Sequence, residues 1–154
     1  MKRGLLGYYN YTVVLTYVGM LTAFMGILMV LNRKFPAAVV CLLVSGLCDM
    51  FDGKVAATKK RDDKEKCFGI QIDSLSDLIS FGVFPALFVY IFAESTLTAG
   101  IIASFYVLAA LIRLAYFNVL EEERQKHTTE LRKVYLGLPV TTIDLLLPAV
   151  HLAY

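Results

Sequence analysis

Four aspartates stand where carboxylates are costly. Asp49 and Asp52, then Asp73 and Asp77, lie inside stretches that are otherwise apolar. A charged side chain in a membrane-spanning helix costs about 2.5–3.5 kcal/mol on insertion scales, so it generally faces a cavity and performs a function. At about 100° per residue, Asp49, Asp52, Gly53 and Ala56 fall within roughly 100° of arc on one helix face. Asp73 and Asp77 are four apart and stack on one face of the next helix, with Gly69 a turn before them. If the two helices are antiparallel neighbours, the four carboxylates meet at one depth. They repel one another unless a cation lies between them. Oxygen-only ligands suit Mg²⁺ or Mn²⁺ better than Zn²⁺. Four carboxylates can hold two such ions, and a metal pair can clamp a diphosphate while it reacts.

Two other readings compete. Asp73 and Asp77 could be helix caps, because a carboxylate near a helix start suits the dipole. Intramembrane aspartates also serve ion-coupled transporters and metal-binding scaffolds. Transporters place them near the midplane and carry internal repeats. Here they lie near one interface, and the sequence has no repeat.

The elements that position these residues are membrane helices. The chain has 154 residues, 58% of them hydrophobic, with a mean hydropathy of +0.65. That exceeds the usual apolar share of about 45–50%, and a soluble domain of this size could not hide so much apolar surface. Apolar stretches near the ~20-residue spanning length recur along the chain. They predict an all-α, polytopic membrane bundle with five visible spans: about 11–31, 36–57, 68–92, 97–119 and 135–154. Two charged segments, 58–66 and 121–133, separate spans two from three and four from five. The first reads as a solvated loop that favours anionic lipid headgroups. Nearly all Lys and Arg lie at the N-terminus and in these two segments, leaving only Arg33 and Lys34 on the other side. The positive-inside rule therefore puts the aspartates at the cytoplasmic face. The odd number of spans and the apolar end His151-Leu152-Ala153-Tyr154 lead us to expect a sixth helix. No cleavable signal peptide is expected at the polar, aromatic start. Cys41, Cys48 and Cys67 have no metal-ligand spacing and read as small apolar residues.

The aspartates also match a known pattern. Asp49-Met50-Phe51-Asp52-Gly53-Lys54-Val55-Ala56, followed by Gly69-Ile70-Gln71-Ile72-Asp73-Ser74-Leu75-Ser76-Asp77, resembles the signature of the CDP-alcohol phosphotransferase family. That signature is D-x2-D-G-x2-A-R, a spacer of eight, then G-x3-D-x3-D. Ser80 to Pro85, Arg113 to Asn118 and Gly137-Leu138-Pro139 are similar to its phosphatidylserine synthase branch. The resemblance covers most of the chain from Asn10 onward, as a single domain over residues 1–154. It implies a six-helix membrane domain, commonly a homodimer, with a polar pocket at the cytoplasmic interface. It implies that Asp49, Asp52 and Asp73 coordinate two divalent ions, that Asp77 completes the site and that Asp77 is the general base. Gly53 and Ala56 would be small so that the cytidine diphosphate can lie against the helix, and Gly69 belongs to the same motif. Two positions depart from the pattern. Ala57 stands where the signature has an arginine, and eleven residues rather than eight separate Ala57 from Gly69. Lys54, Lys59 or Lys60 is a nearby cation for the diphosphate, although a lysine lacks the planar fork of an arginine.

The implied reaction transfers a phosphatidyl group from CDP-diacylglycerol to a small alcohol, first of all serine. Glycerol 3-phosphate or inositol phosphate is the alternative acceptor, because Arg113 is an intramembrane cation. Arg113 could equally be a snorkelling helix residue. By the resemblance, Asn118, Tyr135, Gly137 and Pro139 shape the acceptor pocket. Asn10 either caps the first span or reaches the nucleotide. Asp144 reads as a helix–helix hydrogen-bond partner or a pocket residue, His127 as solvated, and His151 has no recognisable partner. A family member that binds CDP-lipid without turnover is a further alternative, raised by Ala57. Membrane lipid is an expected partner; nucleic acid is not.

Overall fold

The computed structural model describes residues 11–56, 58, 62–127 and 142–143. Helices α1 (Tyr11–Leu31) and α2 (Phe35–Ala56) form an antiparallel hairpin. Helix α3 (Asp63–Asp77) runs through a π-helical segment (Leu78–Val83) directly into α4 (Phe84–Phe92), and α5 (Leu97–His127) returns antiparallel to that rod. No strand occurs among the described residues. Four helical stretches are long and apolar enough to cross a membrane: Val13–Leu31, Phe35–Ala56, Asp63–Phe92 and Leu97–Glu123. Large apolar side chains point outward along them, with Leu21 61% and Phe105 68% exposed. Water would penalise such a surface and lipid does not. The chain is an integral membrane protein. The expected fifth span lies outside the described residues apart from positions 142–143, where Ile143 packs against the core.

The first two spans begin and end within a residue of their sequence boundaries. The next two are longer than expected. The charged residues Asp63 to Lys66 form the first turn of α3 rather than a loop, and α5 continues through the acidic residues Glu121 to Glu123. Lys and Glu are good helix formers, so the helices outlast the apolar runs. On the side remote from the aspartates, α1 and α4 end alike. Arg33 and Glu94 take left-handed conformations, with φ of 57° and 55°. Lys34 N–H then reaches the Met29 carbonyl at 2.8 Å and Ser95 N–H the Tyr90 carbonyl at 2.9 Å, capping the exposed carbonyls.

The core joins α1, α2 and the rod through Ala23, Ile27, Leu42, Phe81, Phe84 and Phe88. Gly26 on α1 is where the Phe84 ring lodges. A β-carbon there would fall 2.3 Å from Phe84 Cζ and 2.9 Å from Cys41 Cβ. Phe84 is completely buried and has no free direction to move. Gly26→Ala is therefore expected to destabilise the bundle by about 1–3 kcal/mol, lowering the midpoint of thermal unfolding in detergent. Trimming the ring, as Gly26→Ala with Phe84→Leu, should recover part of the loss.

The π segment has a cause in the sequence. Pro85 has no N–H to give to the Phe81 carbonyl four residues earlier. The Tyr106 hydroxyl on α5 donates to that carbonyl instead, at 2.7 Å. At Gly82 a β-carbon would crowd Leu78 Cδ1 of the same rod, at 3.2 Å, and would only touch Ala110 Cβ of α5, at 3.5 Å. The backbone register thus shifts immediately after Asp77.

Candidate metal and transfer site

The α2–α3 pairing brings the aspartates together. Single carboxylate oxygens of Asp49, Asp52 and Asp73 all lie within 4.8 Å of one another. Across the helix pair, Asp52 meets Asp73 and Asp49 meets Asp77. The cap reading fails for Asp73 and Asp77, because α3 starts ten residues before Asp73, at Asp63. Asp52 is buried, and the Thr16 hydroxyl of α1 donates to its Oδ2 at 2.8 Å. The donor set is oxygen only, dense in charge and half enclosed. It fits a hard divalent cation.

Thr16 is a residue that sequence reasoning missed. Its only sequence signal is a hydroxyl in an apolar span, which is common in membrane helices because such groups bond across helices. Here it fixes the orientation of one carboxylate. Removing such an outer partner typically costs 10–100-fold in metal affinity. We expect that loss for Thr16→Val, read as a weaker Mn²⁺ titration by electron paramagnetic resonance.

Beside the carboxylates is a pocket lined by Thr16, Ser45, Ser76 and Ser80 together with Asp49, Asp52 and Asp77. Ser45 donates to the Gly19 carbonyl at 3.1 Å. Gly53 faces open space, with nothing within 4 Å of where a β-carbon would stand, and Ala56 is half-buried a turn away. Lys54 is exposed, with Nζ 5.4 Å from the centre of the Phe51 ring. Gly69 lies half-buried on α3, one turn before Asp73.

The expected acceptor residues are placed differently. Asn118 accepts a 2.5 Å hydrogen bond from Ser74, next to Asp73, and so ties α5 to the site helix. Glu122, one turn on, accepts from Gln71 at 3.0 Å. Arg113 lies over the Phe117 ring, 5.3 Å from its centre, and makes no ion pair among the described residues. Neither Arg113 nor Asn118 lines the aspartate pocket. Asn10, Ala57, Lys59, Lys60, Tyr135, Gly137, Pro139, Asp144 and His151 lie outside the described residues, as does the His127 side chain. All three cysteines are free; Cys41 and Cys48 are half-buried, whereas Cys67 is exposed.

With this geometry in hand, comparison with known proteins is decisive at the level of family. The profile of the CDP-alcohol phosphatidyltransferase family matches residues 9–153. The chain belongs to that family. CDP-alcohol phosphatidyltransferases generally use divalent metal ions, in keeping with the carboxylate cluster. Among curated relatives, CDP-diacylglycerol–serine O-phosphatidyltransferase of Saccharomyces cerevisiae is 40% identical over 108 residues, 68% of this chain and 38% of the yeast protein. Archaetidylserine synthase of Methanothermobacter thermautotrophicus is 36% identical, covering 77% of this chain and 48% of its own. CDP-diacylglycerol–serine O-phosphatidyltransferase of Methanocaldococcus jannaschii is 35% identical, covering 85% and 56%. The match thus spans about half the length of these relatives, between 38% and 56%. No solved structure matches significantly.

Proposed function

We propose that this CDP-alcohol phosphatidyltransferase moves a phosphatidyl group from CDP-diacylglycerol to L-serine, giving phosphatidylserine and CMP. The observation that carries the reading is the convergence of Asp49, Asp52 and Asp73, with Asp77 alongside, in a membrane bundle. The names of the matched relatives support serine as the acceptor.

Asp49, Asp52 and Asp73 would hold two Mg²⁺ or Mn²⁺ ions, with Asp77 completing the site. When bound, such ions supply neutralisation of the phosphoryl oxygens and of the departing CMP. The protein's own work is positioning and proton transfer. Gly53 and Ala56 leave the face of α2 open for the cytidine diphosphate, Gly69 lets it approach α3, and Lys54 provides a cation nearby. Asp77 takes the proton of the serine hydroxyl. The oxygen then bonds to the phosphorus that carries the diacylglycerol, and the bond from that phosphorus to CMP breaks. Asn118, Arg113, Tyr135, Gly137 and Pro139 are assigned to the acceptor side, and Asn10 to the first span's cap or the nucleotide. The aspartate end faces the cytoplasm by the distribution of Lys and Arg, and the working unit is a homodimer.

A second reading, a CDP-lipid-binding protein without turnover, is favoured by Ala57 in place of the signature arginine. CMP release from CDP-diacylglycerol in detergent separates the two. Metal-dependent release stimulated by serine supports transfer. Nucleotide binding with no release under any acceptor would sink it.

A further inference from the structure

Beside the carboxylates, α1, α2 and the rod enclose a cavity of about 10 Å³. That is about the room one buried water takes, and it is too small for a substrate. Four hydroxyls reach its wall, and two of them are already committed. Thr16 gives its proton to Asp52, and Ser45 gives its proton to the Gly19 carbonyl. Ser76 and Ser80 are 9% and 2% exposed, yet neither hydroxyl has a hydrogen-bond partner among the described residues. A serine inside an α-helix ordinarily bonds back to the carbonyl four residues earlier. At Ser80 that ladder is displaced by the π segment, which Pro85 and the Tyr106 hydroxyl hold in place. Buried hydroxyls are rarely left unpaired, because their desolvation is then not repaid. Asp77 lines the same cavity and stands on the same rod, between the two serines. Among the described residues, the group that meets it across the helix pair is another carboxylate, Asp49, which when ionised has no hydrogen to give.

We propose that one ordered water fills this cavity, accepts from the Ser76 and Ser80 hydroxyls and donates to Asp77. The two serines are then positioning residues for that carboxylate. A buried water makes about three hydrogen bonds, and a bridging water is nearly as good as a direct bond. Its second hydrogen can go to the free lone pairs of Thr16 or Ser45 on the same wall. Asp49, Asp52 and Asp73 bring their oxygens together and are the expected ion ligands. As Thr16 orients Asp52, the water orients Asp77, holding one oxygen so that the other faces the reacting alcohol. The effect on turnover rests on the transfer reading above; the water itself does not.

The test uses the full chain in detergent, loaded with Mn²⁺, in two arms. The first is a crystal structure fine enough to show ordered solvent. One water should lie within hydrogen-bond distance of both serine hydroxyls and an Asp77 oxygen, and anomalous scattering tells it from Mn²⁺. An ion in the cavity, a direct serine–carboxylate bond or no ordered water overturns the proposal. The second arm is single-turnover CMP release from CDP-diacylglycerol with serine. Ser80→Ala should slow it by roughly 10–100-fold, the usual cost of an outer partner, and leave the Mn²⁺ affinity and the half-saturating CDP-diacylglycerol within about twofold. In an Asp77→Asn background the same substitution should cost almost nothing more, because it acts through Asp77. A serine that merely packs would cost the same in both backgrounds. That equality, or an unchanged rate in Ser80→Ala, overturns the positioning role. Should Ser80→Ala not give monodisperse protein, Ser76→Ala is measured by the same criteria. A wild type that releases no CMP ends the transfer reading, and the first arm then decides the water alone.

Discussion

Asp77→Asn is expected to keep most of the nucleotide and Mn²⁺ binding and to lower turnover by about 10²–10⁴-fold, the usual worth of a positioned general base. The geometry separates this aspartate from the other three. Asp49, Asp52 and Asp73 form the tight cluster, whereas Asp77 meets Asp49 from the pocket side and ends α3. Asparagine has nearly the same shape and keeps one carbonyl oxygen for a neighbouring ion. It cannot take a proton from an alcohol. Single-turnover CMP release checks the chemical step directly, and Mn²⁺ binding by electron paramagnetic resonance checks the rest. A variant with normal turnover would remove Asp77 from the role of base. A variant that loses metal as completely as turnover would make it a fourth ligand first.

The second large effect concerns the cluster itself. Chelation of divalent ions should bring CMP release to background, and Mg²⁺ or Mn²⁺ should restore it. Asp52→Asn should not be restored at ordinary metal concentrations. Asp52 is 7% exposed, meets Asp73 and is oriented by the 2.8 Å bond from Thr16. It is the most enclosed of the three, so water cannot easily take its place as a ligand. Loss of an outer partner already costs 10–100-fold in metal affinity, and loss of the carboxylate should cost more than that. Normal metal dependence in Asp52→Asn would mean that the ions are held elsewhere.

Much of this was legible in the sequence, for identifiable reasons. The spacing of Asp49, Asp52, Asp73 and Asp77 fixed their helix faces. The intervening charged segment made the two helices antiparallel, and convergence followed. Hydropathy located α1 and α2 well because charge or proline stands at each break: Arg33-Lys34 and Pro36 between them, then the basic run after Ala56. It misjudged the start of α3 and the end of α5, because hydropathy reports where lipid begins rather than where a helix stops. What the sequence hid was tertiary. Thr16 meets Asp52 across 36 positions, and Tyr106 meets the Phe81 carbonyl across 25. Nothing local marks either. Pro85 stands inside an apolar span, where it removes one backbone donor, but the outcome, a register shift in an unbroken rod, depends on a donor from another helix.

The continuous rod from Asp63 to Phe92 has 30 residues, or about 45 Å at 1.5 Å per residue, against a hydrocarbon core of about 30 Å. Roughly 15 Å of helix precedes Asp73, the same as the excess of the rod over the hydrocarbon core, so a rod whose Phe92 end sits at the far boundary brings the carboxylates to the level of the lipid headgroups. Under the proposed transfer, a lipid donor would present its diphosphate there while its chains remain in the leaflet. For an enzyme of that kind the meaningful donor concentration is a mole fraction in a surface. Supply is set by lateral exchange with neighbouring lipids, and the water phase delivers only the small polar partner.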